Sequence, residues 1–415
     1  GLPCKKCYHG LAMFLKSIGR NVIFLGIVSG LTDISSEMLY PIMPLFLTAV
    51  LGAPMTVVGL IEGVAEATAS LLKAAGGFWS DRAGRRKPFV LWGYGLSAAS
   101  KPLLALAGAW PFVLFCRFLD RTGKGVRTAA RDALLTASTS SEHWGAAFGF
   151  HRAMDTAGAV AGPLLTVLLL SVFGMSYRSI FLIAAVPAVL GVAVLWAFVE
   201  ERRLSPDGAA SPRGGEAGLA ARSAASSIKN IFTPEYTRFF LVYGLFAVGN
   251  SSDAFLLLKA KAGGLSATQV VLAYVLYNAV YALAATPAGM LADRIGRTRV
   301  LAAGLVVFAL AYLGFARADG GAAFWLLFPV YGLYGALAES SLKAAVSERC
   351  PAGDRAAALG LFQGAAGLLA LVASLAAGWL WSRVSASAPF YLGAACAAAA
   401  ACLLAGFPVR ARSEN

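Results

Sequence analysis

The apolar residues of this chain arrive in blocks of about 20 to 30, separated by short polar punctuation, and that rhythm restricts the fold more than any other feature. A block of this length crosses a ~30 Å hydrocarbon layer as a helix. A closed barrel would instead need alternating segments of about ten residues. Twelve helical spans are predicted, at residues 20–50, 55–79, 88–109, 111–135, 144–173, 178–199, 237–260, 267–291, 299–317, 322–346, 354–381 and 388–408. Only 13% of the 415 residues are charged and 58% are hydrophobic. That is about half the charged share of soluble domains, so most of the chain is expected to avoid water.

The formal net charge of +14 would suggest nucleic acid in a soluble protein, but here its location gives its meaning. Connections after even-numbered spans carry Arg82, Arg85, Arg86 and Lys87, then Arg202 and Arg203, then Arg294, Arg297 and Arg299, then Arg349 and Arg355, with Arg410 and Arg412 at the end. The other connections hold little more than Arg178, Lys259, Lys261, Arg317 and Arg383. By the positive-inside rule both termini and the long middle loop are expected in the cytoplasm, with the spans in the cell membrane. The partner of the surplus charge is then anionic lipid rather than nucleic acid.

Six cysteines give no disulfide framework: Cys116, Cys396 and Cys402 sit in apolar spans and Cys350 near a cytoplasmic end, as small packing residues. Cys4, Cys7 and His9 offer one C-x-x-C without a second ligand pair, a weak metal signal. No metal or cofactor is expected. Residues 1–19 read as a cytoplasmic tail without the apolar core of a secretory signal.

Between the spans, residues 200–236 turn rich in Ser, Pro, Gly, Ala and Arg, a polar cytoplasmic linker between bundles at 20–199 and 237–408, with a tail at 409–415. The halves echo each other. Gly77-Phe78-Trp79-Ser80-Asp81-Arg82-Ala83-Gly84-Arg85-Arg86-Lys87 joins spans two and three, and Gly289-Met290-Leu291-Ala292-Asp293-Arg294-Ile295-Gly296-Arg297-Thr298-Arg299 joins spans eight and nine. Both read G-x-x-x-D-R-x-G-R. Ser35-Ser36-Glu37 in span one is echoed by Ser251-Ser252-Asp253 in span seven. Tandem six-helix units suit a secondary transporter with its site near the bilayer midplane.

The repeated loop is similar to the signature loop of the major facilitator superfamily. The resemblance implies an all-α membrane protein of twelve transmembrane helices in two six-helix bundles, working by alternating access. In span five, Gly158-Ala159-Val160-Ala161-Gly162-Pro163 resembles the G-x-x-x-G-P motif of the proton-driven antiporters of that superfamily, in which this element is thought to limit leakage. Span four departs from the family pattern: Arg117 is followed by Gly123-Lys124-Gly125, and the Arg-to-Gly spacing is not reproduced.

Physically, the aspartate of the loop, Asp81 or Asp293, can bond the exposed amides of a neighbouring helix N-terminus, while the arginines take carboxylates or lipid phosphates. Its glycines permit a tight turn and close helix approach. The loop is therefore expected to latch one conformation. Gly158 and Gly162 lie one turn apart and suit backbone-to-backbone packing, with Pro163 bending the span. Gly26/Gly30 and Gly145/Gly149 carry the same small-residue spacing.

Charge inside spans is the strongest functional signal, because an ionisable group near a bilayer centre costs at least ~2.5 kcal/mol. Span one carries Asp33 and Glu37; span two Glu62, Glu66 and Lys73; span four Arg117, Asp120, Arg121 and Lys124 on one stripe, before Arg127, Arg131 and Asp132 reach the cytoplasmic side. His151, Arg152 and Asp155 lie in span five, Asn250 and Asp253 in span seven, Glu339 and Lys343 in span ten. The acids of spans one and two are expected to face the basic stripe of span four. A structural network this large stabilises poorly, whereas a transporter needs carboxylates that gain and lose protons. Desolvation favours a neutral acid and a neighbouring arginine favours its carboxylate, so Asp33, Glu37 and Glu66 lead as proton or cation carriers. Arg117, Arg121 and Lys124 either hold their counter-charge or bind an anionic substrate. Tyr40, Trp92, Tyr94, Asn250, Tyr274, Tyr277, Asn278, Tyr281, Tyr331 and Tyr334 are candidate lining of an amphipathic pocket or plain packing.

An enzyme is disfavoured: the only histidines are His9, His143 and His151, and there is no H-E-x-x-H, no G-x-S-x-G and no phosphate-cradling loop. The expectation is a monomeric transporter exchanging a small organic molecule, exported against protons. An organic-anion or nutrient symporter and a divalent-metal exporter are the alternatives, with a non-transporting sensor behind them.

Overall fold

A computed structural model describes residues 19–140, 143–201, 231–350 and 355–406. Cys4, Cys7, His9, Arg410, Arg412 and most of the linker lie outside the described residues, as do the side chains of Asp81 and Arg355. Among the described residues the regular structure is helical throughout. The helices are α1 (Arg20–Leu39), α2 (Met55–Ala83), α3 (Lys87–Ala105), α4 (Trp110–Ala137), α5 (Trp144–Ser171) and α6 (Tyr177–Phe198) in the first half. In the second half are α7, in two segments (Pro234–Gly249 and Ala254–Ala262), α8 (Ala267–Ile295), α9 (Arg297–Arg317), α10 (Gly321–Ser347), α11 (Arg355–Arg383) and α12 (Ala388–Ala405). Short helical turns, Met43–Leu45 and Phe46–Val50, extend α1 toward the expected end of its span. The sequence-predicted boundaries are met to within a few residues.

Ten of these helices are long and apolar enough to cross a membrane. The remaining two, α3 and α4, form a pair, and they hold much of the buried charge described below. Large apolar side chains stand on outer faces, among them Trp92, Trp196, Leu241 and Leu283, as lipid contact requires.

The described residues pack as two compact units: 19–42 with 68–201, and 43–67 with 231–406. In the first, α1 packs on α5 and α6, and α3 packs on α4 and α6. In the second, α7 packs on α11 and α12, and α9 on α10 and α12, the same pattern six helices later. The first stretch of α2 is part of the second unit, where Gly59 abuts Ser374 and Gly63 abuts Leu371 of α11. A side chain at either glycine would meet backbone.

The repeated loops turn on Gly84 and Gly296, whose φ angles of 62° and 98° are left-handed and strain any L side chain. The preceding glycines differ from each other. Gly77 lies against Ala129 of α4, whereas Gly289 has open space beside it.

Candidate functional site

The charged residues of α4 recur at helical spacing and so share one face: Arg117, Asp120, Arg121, Lys124 and Arg127. Gly93 and Gly123 bring the backbones of α3 and α4 into contact, since a Cβ on Gly123 would meet the Gly93 carbonyl and lie 3.1 Å from the Ser97 nitrogen. That approach places Ser97 and Lys101 of α3 directly on Asp120. Lys101, only 2% exposed, sets its Nζ 2.9 Å from Asp120 Oδ1 and 3.4 Å from Ser36 Oγ. The Ser97 hydroxyl donates to the same carboxylate oxygen, and Arg121 Nε lies 3.9 Å from Asp120 Oδ2.

These groups line a cleft of about 530 Å³, open solvent at its mouth included. Asp33, Ser36, Glu37 and Tyr40 of the α1 span close one wall; Arg117, Asp120, Arg121, Lys124 and Arg127 of α4 form another. Five basic side chains therefore meet three acidic ones in one cavity of the first unit. Arg127 was expected beyond the cavity, but it is buried at the cavity wall, its guanidinium 4.3 Å from the centre of the Tyr94 ring. The Tyr94 ring face attracts the guanidinium there, although its buried Nη1 has no hydrogen-bond partner. Lys101 is a site residue that the sequence reading does not single out. A lone lysine amid the apolar run of span three is the signal that marks it.

A second polar group flanks the cleft. His151 Nδ1 lies 3.4 Å from Asp155 Oδ2 on α5, and Arg131 reaches both Asp132 (2.8 Å) and Ser29 Oγ (3.4 Å). The α5 motif packs as its spacing implies: a Cβ at Gly158 would lie 2.7 Å from the Gly30 carbonyl, and one at Gly162 would lie 2.6 Å from that of Ile34. Pro163 is buried inside the same helix. Gly26 and Gly30 face Phe150 and Met154, whereas a Cβ at Gly145 or Gly149 would meet nothing within 4 Å outside its own helix.

The sequence profile of the Major Facilitator Superfamily matches residues 25–260 and 239–415. An uncharacterized MFS-type transporter of Methanocaldococcus jannaschii is 36% identical over 395 residues, 94% of this chain and 95% of the relative. The chain belongs to the major facilitator superfamily. It is a multi-pass membrane transporter, not an enzyme. Facilitators of solved structure share its fold: the nucleoside transporter NupG superposes with a TM-score of 0.75 at 13% identity, covering 92% of this chain and 98% of that one. A POT peptide transporter superposes at 0.74 and 15% identity, over 93% and 94%.

Elsewhere in this facilitator, Glu62 and Glu66 fall in the second unit and are not among the residues that line the cleft with Asp33 and Glu37. There they act electrostatically on Asp253, as does Glu339. The α7 helix is interrupted at Asn250, Ser251, Ser252 and Asp253; Ser374 Oγ takes the Ser252 amide at 3.2 Å, and the Tyr331 hydroxyl donates to Asp253 Oδ1 at 2.6 Å. Tyr331 packs on Tyr277 and Tyr334, and Tyr281 bonds Glu339.

In the first signature loop, where the Asp81 side chain lies outside the described residues, the bonds seen are made by other groups. The first amides of α3, on Arg86 and Lys87, are taken by the Glu201 carboxylate at 3.0 and 2.9 Å. Arg86 Nη1 and Lys87 Nζ donate to the carbonyls of Ala133 and Trp196, tying α3 to the ends of α4 and α6. Arg82, Gly84 and Arg85 are exposed. In the second loop Arg297 bridges Asp293 (3.5 Å) and Glu348 (2.8 Å), while Arg294 points to solvent. Asp293 thus pairs with its own loop arginine rather than with a neighbouring helix end.

Proposed function

We propose that this transporter moves a small organic anion together with protons through the cleft of the first unit. The observation that supports it is the charge of that cleft: five cations stand against three acids, and with Asp120 held by Lys101 and Arg121 the acids left to titrate are Asp33 and Glu37. Protonating those two acids removes negative charge and strengthens the field felt by an anion. Anion and proton therefore bind cooperatively, and by linkage each raises the other's affinity equally. A ligand that prefers one of two conformations shifts their balance, so a proton gradient drives the anion in the same direction as the proton.

Export by exchange with protons has its own support, the α5 packing motif that resembles those of antiporters. It requires substrate and proton to compete, as an organic cation would at Asp33 or Asp253. Divalent-metal export is weaker, since among the described residues no three His, Cys, Asp or Glu side chains stand close enough to hold an ion. The protein is proposed to act as a monomer in the cell membrane, its termini and basic loops in the cytoplasm against anionic lipid. Surface labelling of a cysteine in the 200–236 linker of intact cells would contradict that orientation.

Proteoliposomes loaded with a pH dye decide the sign. Adding organic anions outside at equal pH should acidify the lumen, and the effect should vanish in Arg121→Gln. Alkalinisation by cations or neutral compounds, with no response to anions, would replace symport by exchange.

A further inference from the structure

We infer that His151 and Asp155 of α5 form the route by which the coupling proton reaches Asp33, an inference that rests on the proton-coupled reading above. On α1, Ser29, Asp33 and Glu37 recur every four residues and share a face; on α5, His151, Asp155, Gly158 and Gly162 share another. The two faces are pressed together. A Cβ on Gly158 would lie 2.8 Å from Asp33 Cβ, and one on Gly162 would lie 2.9 Å from Glu37 Cβ. One turn before Gly158, Asp155 is thereby set against Ser29 and within electrostatic reach of Asp33.

His151 is 4% exposed, and its Nδ1 lies 3.4 Å from Asp155. Its Nε2 is sealed from solvent and has no hydrogen-bond partner, and neither has Asp155 Oδ1. A histidine kept only for packing is expected to satisfy both ring nitrogens, because an orphaned buried polar atom costs about 1–3 kcal/mol. The pair joins a titratable imidazole to a carboxylate at 3.4 Å, so a proton taken up at the ring has a carboxylate to pass to. His151 sits seven residues into α5, about 10 Å from its first turn at 1.5 Å per residue, between the helix start and the cleft.

The transfer balances. A proton arriving at Nε2 of neutral His151 gives the imidazolium; the Nδ1 proton passes to the Asp155 carboxylate, and the acid so formed passes it to the Asp33 carboxylate. His151 is left neutral with its proton on Nε2, and the next cycle begins once water has exchanged that proton for one on Nδ1. The charged groups facing this path are Arg131 beside Asp155, itself paired with Asp132, then Lys124 and Arg127 of α4 beside Asp33, and Glu37 one turn further along α1.

The test needs no substrate, since the proton itself is the probe. The full chain in lipid is subjected to a rapid pH drop while infrared absorption of protonated carboxyl groups is followed. Wild type should show a carboxyl signal that Asp33→Asn removes; a signal that Asp33→Asn leaves whole overturns the route, and one that the double variant Asp33→Asn with Glu37→Gln also leaves whole sinks the proton-coupled reading itself. His151→Gln should reach the same final amplitude at least tenfold more slowly, at unchanged thermal stability. Asp155→Asn, which keeps the side-chain shape, should slow it likewise and serves if His151→Gln does not fold. Wild-type rates in a folded variant of either kind would overturn the route while leaving proton coupling intact.

Discussion

Removing Lys101 gives the sharpest energetic expectation. Its ammonium and Asp120 are both nearly closed to solvent, 2% and 7% exposed, at 2.9 Å. Deleting one partner of such a buried pair costs roughly 3–5 kcal/mol, chiefly because the other charge is left uncompensated. For Lys101→Met the lower end, about 3 kcal/mol, is expected, since Arg121 at 3.9 Å and the Ser97 hydroxyl still serve Asp120. Asp120→Asn should cost at least as much, since its amide oxygen can still accept from Lys101 but the buried ammonium loses its counter-charge. The double variant leaves neither charge stranded, so it should be no less stable than the worse single variant. Reversible unfolding in mixed detergent micelles, read for all four proteins, gives the coupling energy, expected at about 2 kcal/mol or more. Additive single effects, with a coupling below about 0.5 kcal/mol, would show that the pair is no unit and refute the reasoning.

Gly162→Val should push α5 from α1 and lower stability by about 1–3 kcal/mol, because the new atoms meet the Ile34 carbonyl and Glu37 Cβ. Gly149→Ala, with nothing within 4 Å, should stay within about 0.5 kcal/mol of wild type in the same unfolding assay. Glu201→Ala uncaps α3 and should cost about 0.5–2 kcal/mol, with faster hydrogen exchange at the amides of Arg86 and Lys87; protection unchanged there would remove Glu201 from the cap. Tyr331→Phe strips a hydrogen bond from a carboxylate and should cost roughly 1.5–3 kcal/mol of thermal resistance, a loss that Asp253→Asn should not add to. Full additivity would mean that the two side chains are independent.

The spans were legible because lipid imposes a length on every apolar block, and the loops because their polar residues interrupt those blocks. Reading Asp33, Glu37, Arg117, Asp120, Arg121 and Lys124 as candidates needed only the cost of charge in an apolar span, and they do line one cleft. Their pairing was not legible. Lys101 reaches Asp120 because Gly93 and Gly123 let two backbones touch, a contact between helices that no local spacing encodes. Glu62 and Glu66 share a face with each other, yet which unit that face meets depends on Gly59 and Gly63 packing on α11. The carboxylate at the start of α3 comes from Glu201, more than a hundred residues along the chain. Local sequence shows where a charge is costly; the partner that offsets the cost is set by tertiary packing.

The central claim is that Asp33 and Glu37 carry the proton that drives an anion through the cleft. The direct measurement is accumulation of an organic anion identified by the dye assay, in liposomes with and without a pH gradient, for wild type, Asp33→Asn, Glu37→Gln and the double variant. Wild type should concentrate the anion toward the alkaline side. The double variant should lose that accumulation but keep anion exchange in the absence of a gradient, because an amide preserves shape and cannot release a proton. Gradient-driven accumulation undiminished in the double variant would contradict the account.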